Sequence, residues 1–159
     1  MNTDHVSRTL VVAPLIFVCH FLEESPTFVA WFNAHVSRGI TSGLFWRMNI
    51  LALIITVVVV GLEWLSRSVF SLAVVIAWFS FLMLANAIFH IIGGVVDRSY
   101  VPGLVTAVLL YLPYYVWLFR TAVKSGRIQV GGLIATAVLG SQPMLIHGYL
   151  ILFRGSRLF

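Results

Sequence analysis

The chain has 159 residues and a mass of 17.7 kDa; 60% of its residues are hydrophobic and only 9% are charged. Soluble domains carry about 25% charged residues, so this composition indicates one integral membrane domain over residues 1–159. The net charge of +5 does not indicate nucleic-acid binding, because the ten basic residues are scattered among the loops, where they suit lipid headgroups.

Five apolar segments follow one another along the chain. They cover residues 9–22, 44–65, 69–96, 101–119 and 129–153. Four of them are long enough to cross about 30 Å of hydrocarbon as α-helices. The first is shorter, although a helix beginning near His5 would make up most of the difference. The sequence therefore predicts an all-α, polytopic membrane helix bundle of about five transmembrane helices, the first short or re-entrant.

Several residues have ordinary structural interpretations. Cys19 is the only cysteine, which excludes an intramolecular disulfide and any multi-cysteine metal site. We expect it to be a small, buried apolar residue. Glu63 and Arg67, four residues apart, are expected to form an exposed ion pair. The aromatic residues near the segment ends, Tyr111 among them, are expected to form an aromatic belt.

Alternation of the five segments brings the intramembrane histidines to one side of the membrane. If the N-terminus lies on side A, the first, third and fifth segments all end on the opposite side, side B. His20, His90 and His147 lie near these three ends. Because ionisable groups inside a membrane face the protein interior or a water-filled cavity, we expect a polar pocket that opens toward side B. Its expected polar members are His20, Glu23, Glu24, Asn86, His90 and His147, with Arg47 at the start of the second segment on the same side.

The distribution of basic residues does not indicate which side of the membrane side B is. Alternation places on side A the residues Arg8, Arg67, Arg120, Lys124 and Arg127. It places on side B the residues Arg38, Arg47, Arg98, Arg154 and Arg157. Since the positive-inside rule compares the two sides, five residues against five indicate no orientation.

The first interpretation of the pocket is a metal site. The candidate ligands are His20, Glu23, His90 and His147. They offer the nitrogen and oxygen atoms that zinc, iron or manganese prefer, so one divalent ion is the expected cofactor. Glu23 or Glu24 would act as general base toward a water whose pKa the ion lowers toward about 7, and Asn86 would hold the His90 ring or a substrate oxygen. This favours a membrane-embedded enzyme that hydrolyses or oxidises a lipid or other hydrophobic substrate.

Other interpretations remain open. A carboxylic acid kept protonated by apolar surroundings can shift a double bond, so Glu23, Glu24 and His90 could instead form the proton relay of a lipid isomerase or cyclase. A transporter, binding protein or assembly factor would use the same cluster to carry protons or bind an ion. Purely structural contacts between helices, of about 0.6 kcal/mol each, do not explain two adjacent carboxylates.

Three blocks of the sequence resemble a known family. Residues 20–24, HFLEE, match an H-x-x-E-E signature, and residues 86–90, NAIFH, resemble a second block, N-x-x-x-H. Residues 98–103, RSYVPG, followed by Thr106, resemble a third block in which Tyr-x-Pro-Gly opens the next helix. The chain thus resembles the HXXEE-domain membrane proteins, a largely prokaryotic family of uncharacterised function.

The resemblance implies one functional set and a cellular location. The set comprises His20, Glu23, Glu24, Asn86, His90, Tyr100, Pro102 and Gly103. Tyr100 is thereby a further candidate catalytic residue, and the prokaryotic cytoplasmic membrane is the implied location. His147 lies outside these blocks and is inferred from depth alone. The expected partner is a membrane lipid or hydrophobic small molecule, and glycine-rich helix faces leave a homo-oligomer open.

Overall fold

The computed structural model describes residues 4–155, and all regular structure in this range is helical. The α-helices are α1 Asp4–Leu10, α2 Ala13–Glu24, α3 Phe28–His35, α4 Ser42–Ser66, α5 Val69–Phe79, α6 Asn86–Asp97, α7 Leu104–Thr106, α8 Leu112–Ser125 and α9 Val130–Arg154. Wider π-helical turns, Ser80–Ala85 and Ala107–Tyr111, connect α5 to α6 and α7 to α8. The predicted all-α fold is confirmed.

Within residues 4–155, five helical stretches are long and apolar enough to cross a membrane. They are His5–Glu24, Ser42–Ser66, Val69–Asp97, Leu104–Ser125 and Val130–Arg154. The first span has 20 residues and is the shortest. It bends at residues 11–12, between α1 and α2, because Pro14 has no N–H to donate to the preceding turn. The predicted polytopic membrane bundle with a short first helix is therefore confirmed.

The third span lies at the centre of the bundle. In an apolar stretch of 18 residues within this span, 56% of the stretch is buried inside the protein, against 17% for the corresponding stretches of the second and fifth spans. Leu72, Ile76 and Phe79 are fully buried within it, while Leu139 of the fifth span is 70% exposed. An apolar outer surface of this kind suits a bilayer. Cys19 lies on this outer surface, so the expectation that it is buried is wrong.

Contacts between the ends of the spans follow the predicted alternation. At side B, the Ser37 N–H donates to the Gly155 carbonyl at 3.1 Å, which joins the loop after α3 to the end of the fifth span. At side A, a guanidinium nitrogen of Arg127 contacts Glu63 Oε1 at 2.5 Å. Arg157, placed on side B by alternation, lies outside the described residues.

Glu63 has a different role from the expected one. Its side chain is fully buried, and its carboxylate accepts hydrogen bonds from Ser71 at 2.6 Å and from Arg127. A buried carboxylate needs such partners, because desolvation without them costs several kcal/mol. The prediction that Glu63 and Arg67 form an exposed pair is therefore wrong, since Glu63 is not exposed.

The π-helical turn at Ala107–Tyr111 has a local cause. Pro113 occupies the first turn of α8 directly after it. A proline ring inside a helix clashes with the carbonyl four residues earlier and offers no N–H to it. A wider turn at this point removes that conflict while the fourth span continues.

Candidate functional site

Three side chains converge at the side B end of the bundle. His20 and Glu24 lie one turn apart on α2, and His90 projects from α6 of the central span. Glu24 Oε1 lies 3.6 Å from His20 Nε2 and 3.3 Å from His90 Nε2. All three residues are buried, and one ligand atom from each lies within 4.8 Å of the others. His90 follows His20 by 70 positions in the sequence, and the topology brings the two histidines together as the alternation predicts.

Hydrogen bonds determine which nitrogen of His20 carries the proton. The Thr106 hydroxyl lies 2.5 Å from Glu23 Oε2 and 2.8 Å from His20 Nδ1. Because the hydroxyl has one proton and the carboxylate can only accept it, His20 Nδ1 must donate to the Thr106 oxygen. This assignment from the hydrogen bonds leaves a lone pair on His20 Nε2, directed toward the Glu24 carboxylate.

The lone pair of His20 and the carboxylate of Glu24 are both acceptors, so they require a proton or a cation between them. Neither His20 Nε2 nor either ring nitrogen of His90 has a hydrogen-bond partner in the described part of the chain. The separations of 3.3 and 3.6 Å exceed the roughly 2.7–2.9 Å of a charge-assisted hydrogen bond. They are close to the ~3.3 Å that separates two ligands of a tetrahedral ion with bonds of about 2.0–2.1 Å. The donor set therefore fits a metal ion.

Glu23 points away from this cluster and holds the start of the fourth span. Its carboxylate accepts from the Tyr100 hydroxyl at 2.6 Å and from the backbone N–H groups of Val105 and Thr106 at 3.0 and 2.7 Å. The first N–H groups of a helix have no partner within the helix, and a carboxylate there is favoured by the helix dipole. Glu23 thus binds Thr106, whose hydroxyl in turn orients His20.

Tyr100 donates to this carboxylate from the loop between the third and fourth spans. Burial and the neighbouring Glu23 carboxylate raise the pKa of Tyr100 to about 12. The hydroxyl therefore keeps its proton at neutral pH and remains a donor. This places Tyr100, predicted as catalytic, against Glu23 and not in the His20, Glu24 and His90 cluster.

Gly103 supplies the space in which the three side chains meet. Its backbone has φ +91°, a conformation that glycine adopts readily and other residues rarely do. A Cβ atom at this position would lie 2.8 Å from His90 Cε1, 2.9 Å from His20 Cε1 and 3.0 Å from Glu24 Cγ. The turn before the fourth span therefore requires glycine for both its conformation and its close packing.

A cavity of about 370 Å³ adjoins the cluster. Glu24 forms part of its wall, together with Asn86 and His147, and most of the remaining lining is aromatic or aliphatic. Asn86 Oδ1 is buried and has no hydrogen-bond partner among residues 4–155. A mostly apolar cavity with a few convergent polar groups is the usual form of a small-molecule site.

This geometry can be compared with known proteins. A family profile described as "Protein of unknown function with HXXEE motif" matches residues 11–118, which is more than half of the chain. The chain belongs to the HXXEE family. No curated protein and no solved structure matches the chain.

The residues of the HXXEE motif make two kinds of contact in this fold. Its histidine and second glutamate, His20 and Glu24, face His90 in the cluster. Its first glutamate, Glu23, binds the turn that contains Gly103 and Thr106. The two adjacent carboxylates thus point to different partners because they lie about 100° apart around the helix.

The group of possible metal ligands in the structure differs from the predicted ligand set at two positions. Among the described residues, the group within ligand distance contains Glu24 and neither Glu23 nor His147. The Glu23 carboxylate is bound by four donors at the start of the fourth span, so it does not reach the imidazoles. His147 lies in the wall of the cavity that adjoins the cluster.

Sequence reasoning missed the role of Tyr111. This residue is fully buried and its ring lies 4.2 Å from that of His20, so the expectation of a belt residue is wrong for it. In an α-helix, residues five apart, such as Thr106 and Tyr111, lie about 140° apart around the axis. The π-helical turn between them brings both toward His20. No pattern of hydrophobic residues reveals such a turn.

A second missed cluster covers side B beside the site. Asp97 accepts from the Trp31 indole N–H at 2.6 Å and contacts His35 Nε2 at 3.0 Å, while His35 Nδ1 lies 2.8 Å from the Trp31 carbonyl. Both ring nitrogens of His35 face acceptors, which suits the protonated imidazolium. Burial lowers the pKa of His35, but these two bonds outweigh it and raise the pKa overall. The short helix α3 is thereby attached to α6.

Proposed function

We propose that this protein is a small membrane-embedded enzyme that uses one divalent metal ion to hydrolyse or oxidise a lipid or other hydrophobic substrate. The observation that carries the proposal is the convergence of two imidazoles and one carboxylate, with unpartnered nitrogens, at ligand-to-ligand spacing. Two histidines and one carboxylate are the ligand set of several hydrolytic zinc sites and of non-haem iron oxygenases. The same proposal places the protein in the cytoplasmic membrane of a prokaryote.

His20, Glu24 and His90 would hold the ion, and three protein ligands leave positions for water or substrate. A bound divalent ion would polarise a substrate oxygen or lower the pKa of a water toward about 7. The chain from His20 through Thr106 to Glu23 holds the imidazole in the tautomer that can bind a metal. His147 and Asn86 lie in the cavity wall. In this proposal His147 would transfer a proton and Asn86 would hold the substrate.

Metal content tests the proposal directly. Plasma mass spectrometry on detergent-purified protein should find near-stoichiometric zinc, iron or manganese, and His20→Ala and His90→Ala should each lose it. His35→Ala is the matched control, because His35 lies outside the cluster and should leave the metal content unchanged. Absence of metal from folded wild-type protein would contradict the metalloenzyme.

One observation favours a metal-free alternative. Hydrogen bonds connect His20 through Thr106 and Glu23 to the exposed Tyr100. At the other end of this series, Glu24 lies 3.6 Å from His20 and 3.3 Å from His90, distances that a proton shared with Glu24 would shorten. Such a series could carry a proton between the cavity and the surface, as a lipid isomerase or cyclase requires. In that case Glu24→Gln would abolish double-bond migration or ring closure in a protein that contains no metal.

A further inference from the structure

The cavity beside Glu24 has its opening toward the lipid. Leu44 and Met48, at the start of the second span, form part of its wall and are 43% and 58% exposed. Met144 and Ile151 of the fifth span also line the cavity. The third span packs against both of these spans, which have at most marginal contact with each other over the described residues. A molecule in the bilayer could therefore enter sideways between the second and fifth spans.

The polar lining of the cavity restricts the head of such a molecule. Neither lysine nor arginine is among its lining residues in the described chain, and Glu24 contributes a carboxylate. A phosphate or carboxylate head would enter without a basic partner, at a large desolvation cost. Asn86 Oδ1 is a buried acceptor to which the described chain supplies no donor, so a hydroxyl or amide N–H of a bound molecule would satisfy it.

We infer that the substrate is a lipid with an apolar chain and an uncharged head that carries a hydroxyl or amide N–H, and that it enters between the second and fifth spans. This inference rests on the proposed function of the site. In the bound state the head would lie beside Glu24 and donate to Asn86, while the chain would contact the aromatic and methionine side chains that line the cavity.

Photolabelling in phosphatidylcholine nanodiscs tests this inference without requiring activity. The probe is a long-chain primary alcohol with a diazirine in its chain; its phosphate monoester and its methyl ether are the matched comparisons. The alcohol should label peptides containing Met48 and Met144, and excess unlabelled alcohol should reduce the labelling. The phosphate ester should label these peptides at least about tenfold less, because its charge has no partner in the cavity.

Two variants separate recognition of the head from entry of the chain. Asn86→Leu should reduce labelling by the alcohol to the level of the methyl ether, which lacks the donated proton. Met144→Trp should fill the opening and reduce labelling by all three probes. Leu139→Trp is the control, because Leu139 lies on the same helix, is 70% exposed and is not part of the cavity wall.

Equal or stronger labelling by the phosphate ester would overturn the inference, as would labelling that Met144→Trp leaves unchanged. The metal content of the same samples distinguishes this failure from failure of the proposed function. If the wild-type protein contains metal but gives either of these results, the substrate class is wrong and the proposed enzyme still stands. If the protein contains no metal but prefers the alcohol as expected, the substrate class stands and the metalloenzyme is wrong.

Discussion

A side chain at Gly103 would contact all three members of the cluster, so this position offers a test at the scale of one residue. Gly103→Ala would place a methyl group 2.8 to 3.0 Å from His90, His20 and Glu24, in a backbone conformation that alanine rarely adopts. We expect a loss of about 1–3 kcal/mol of stability and more than tenfold weaker metal binding, measured by unfolding and by competition with a chelator. Gly131→Ala should change neither, because an added Cβ there would meet no described atom within 4 Å beyond its own stretch of helix. Metal binding by Gly103→Ala at wild-type strength would contradict the close packing.

Thr106 tests the assignment of the His20 tautomer. Thr106→Val keeps the shape of the side chain but removes the oxygen that accepts from His20 Nδ1 and the proton donated to Glu23. We expect metal affinity to fall about 10–100-fold, as is typical when the partner of a ligating histidine is lost. Thr136→Val is the control, because the Thr136 hydroxyl is exposed and bonds only within α9. Unchanged affinity in Thr106→Val would show that this hydroxyl does not orient the imidazole.

At the scale of elements, the attachment of α3 to α6 includes an ionisable contact, that between His35 and Asp97. The pKa of His35 is raised in the folded protein by the Trp31 carbonyl and by Asp97, despite partial burial. A raised pKa means that this stabilisation is fully present below the unfolded value of about 6.5 and is lost as pH rises through the folded value. Near neutral pH and above, α3 should therefore be attached less firmly than at about pH 6.

Hydrogen exchange of α3 measures this effect. Amides of Phe28–His35 should lose protection relative to α6 as pH rises from about 6 to about 9, after correction for the intrinsic exchange rate. His35→Gln should remove most of the pH dependence, because glutamine does not titrate in this range. Protection that changes equally in wild type and His35→Gln would show that another group controls α3.

For the whole molecule, the sequence was sufficient for the number of spans and for bringing His20 and His90 to the same end of the bundle, because membrane thickness and alternation constrain both. It was not sufficient to separate Glu23 from Glu24, since the partners that distinguish them, Thr106 and His90, lie more than 60 positions away. Hydrophobic patterns also could not place Tyr111 against His20, because that contact depends on a π-helical turn. Burial of Glu63 was missed for a similar reason, as its partner Arg127 belongs to another loop.

Labelling of single cysteines tests the topology that brings the site together. In a Cys19→Ala background, Ser25→Cys and Ser99→Cys should react with a membrane-impermeant thiol reagent from one side, because both positions follow spans that end on side B. Lys124→Cys, at the opposite end of the fourth span, should react only from the other side. Labelling of residues 25 and 99 from opposite sides would separate His20 from His90 and exclude a shared site.

The central claim is that two imidazoles and one carboxylate hold a metal ion within the membrane. X-ray absorption spectroscopy of the purified, metal-loaded protein measures this coordination directly. We expect two imidazole nitrogens at about 2.0–2.1 Å and at least one oxygen at about 2.0–2.2 Å if the ion is zinc, with one imidazole lost in His90→Ala. A wild-type spectrum without imidazole scattering, or one that His90→Ala leaves unchanged, would contradict the proposed centre.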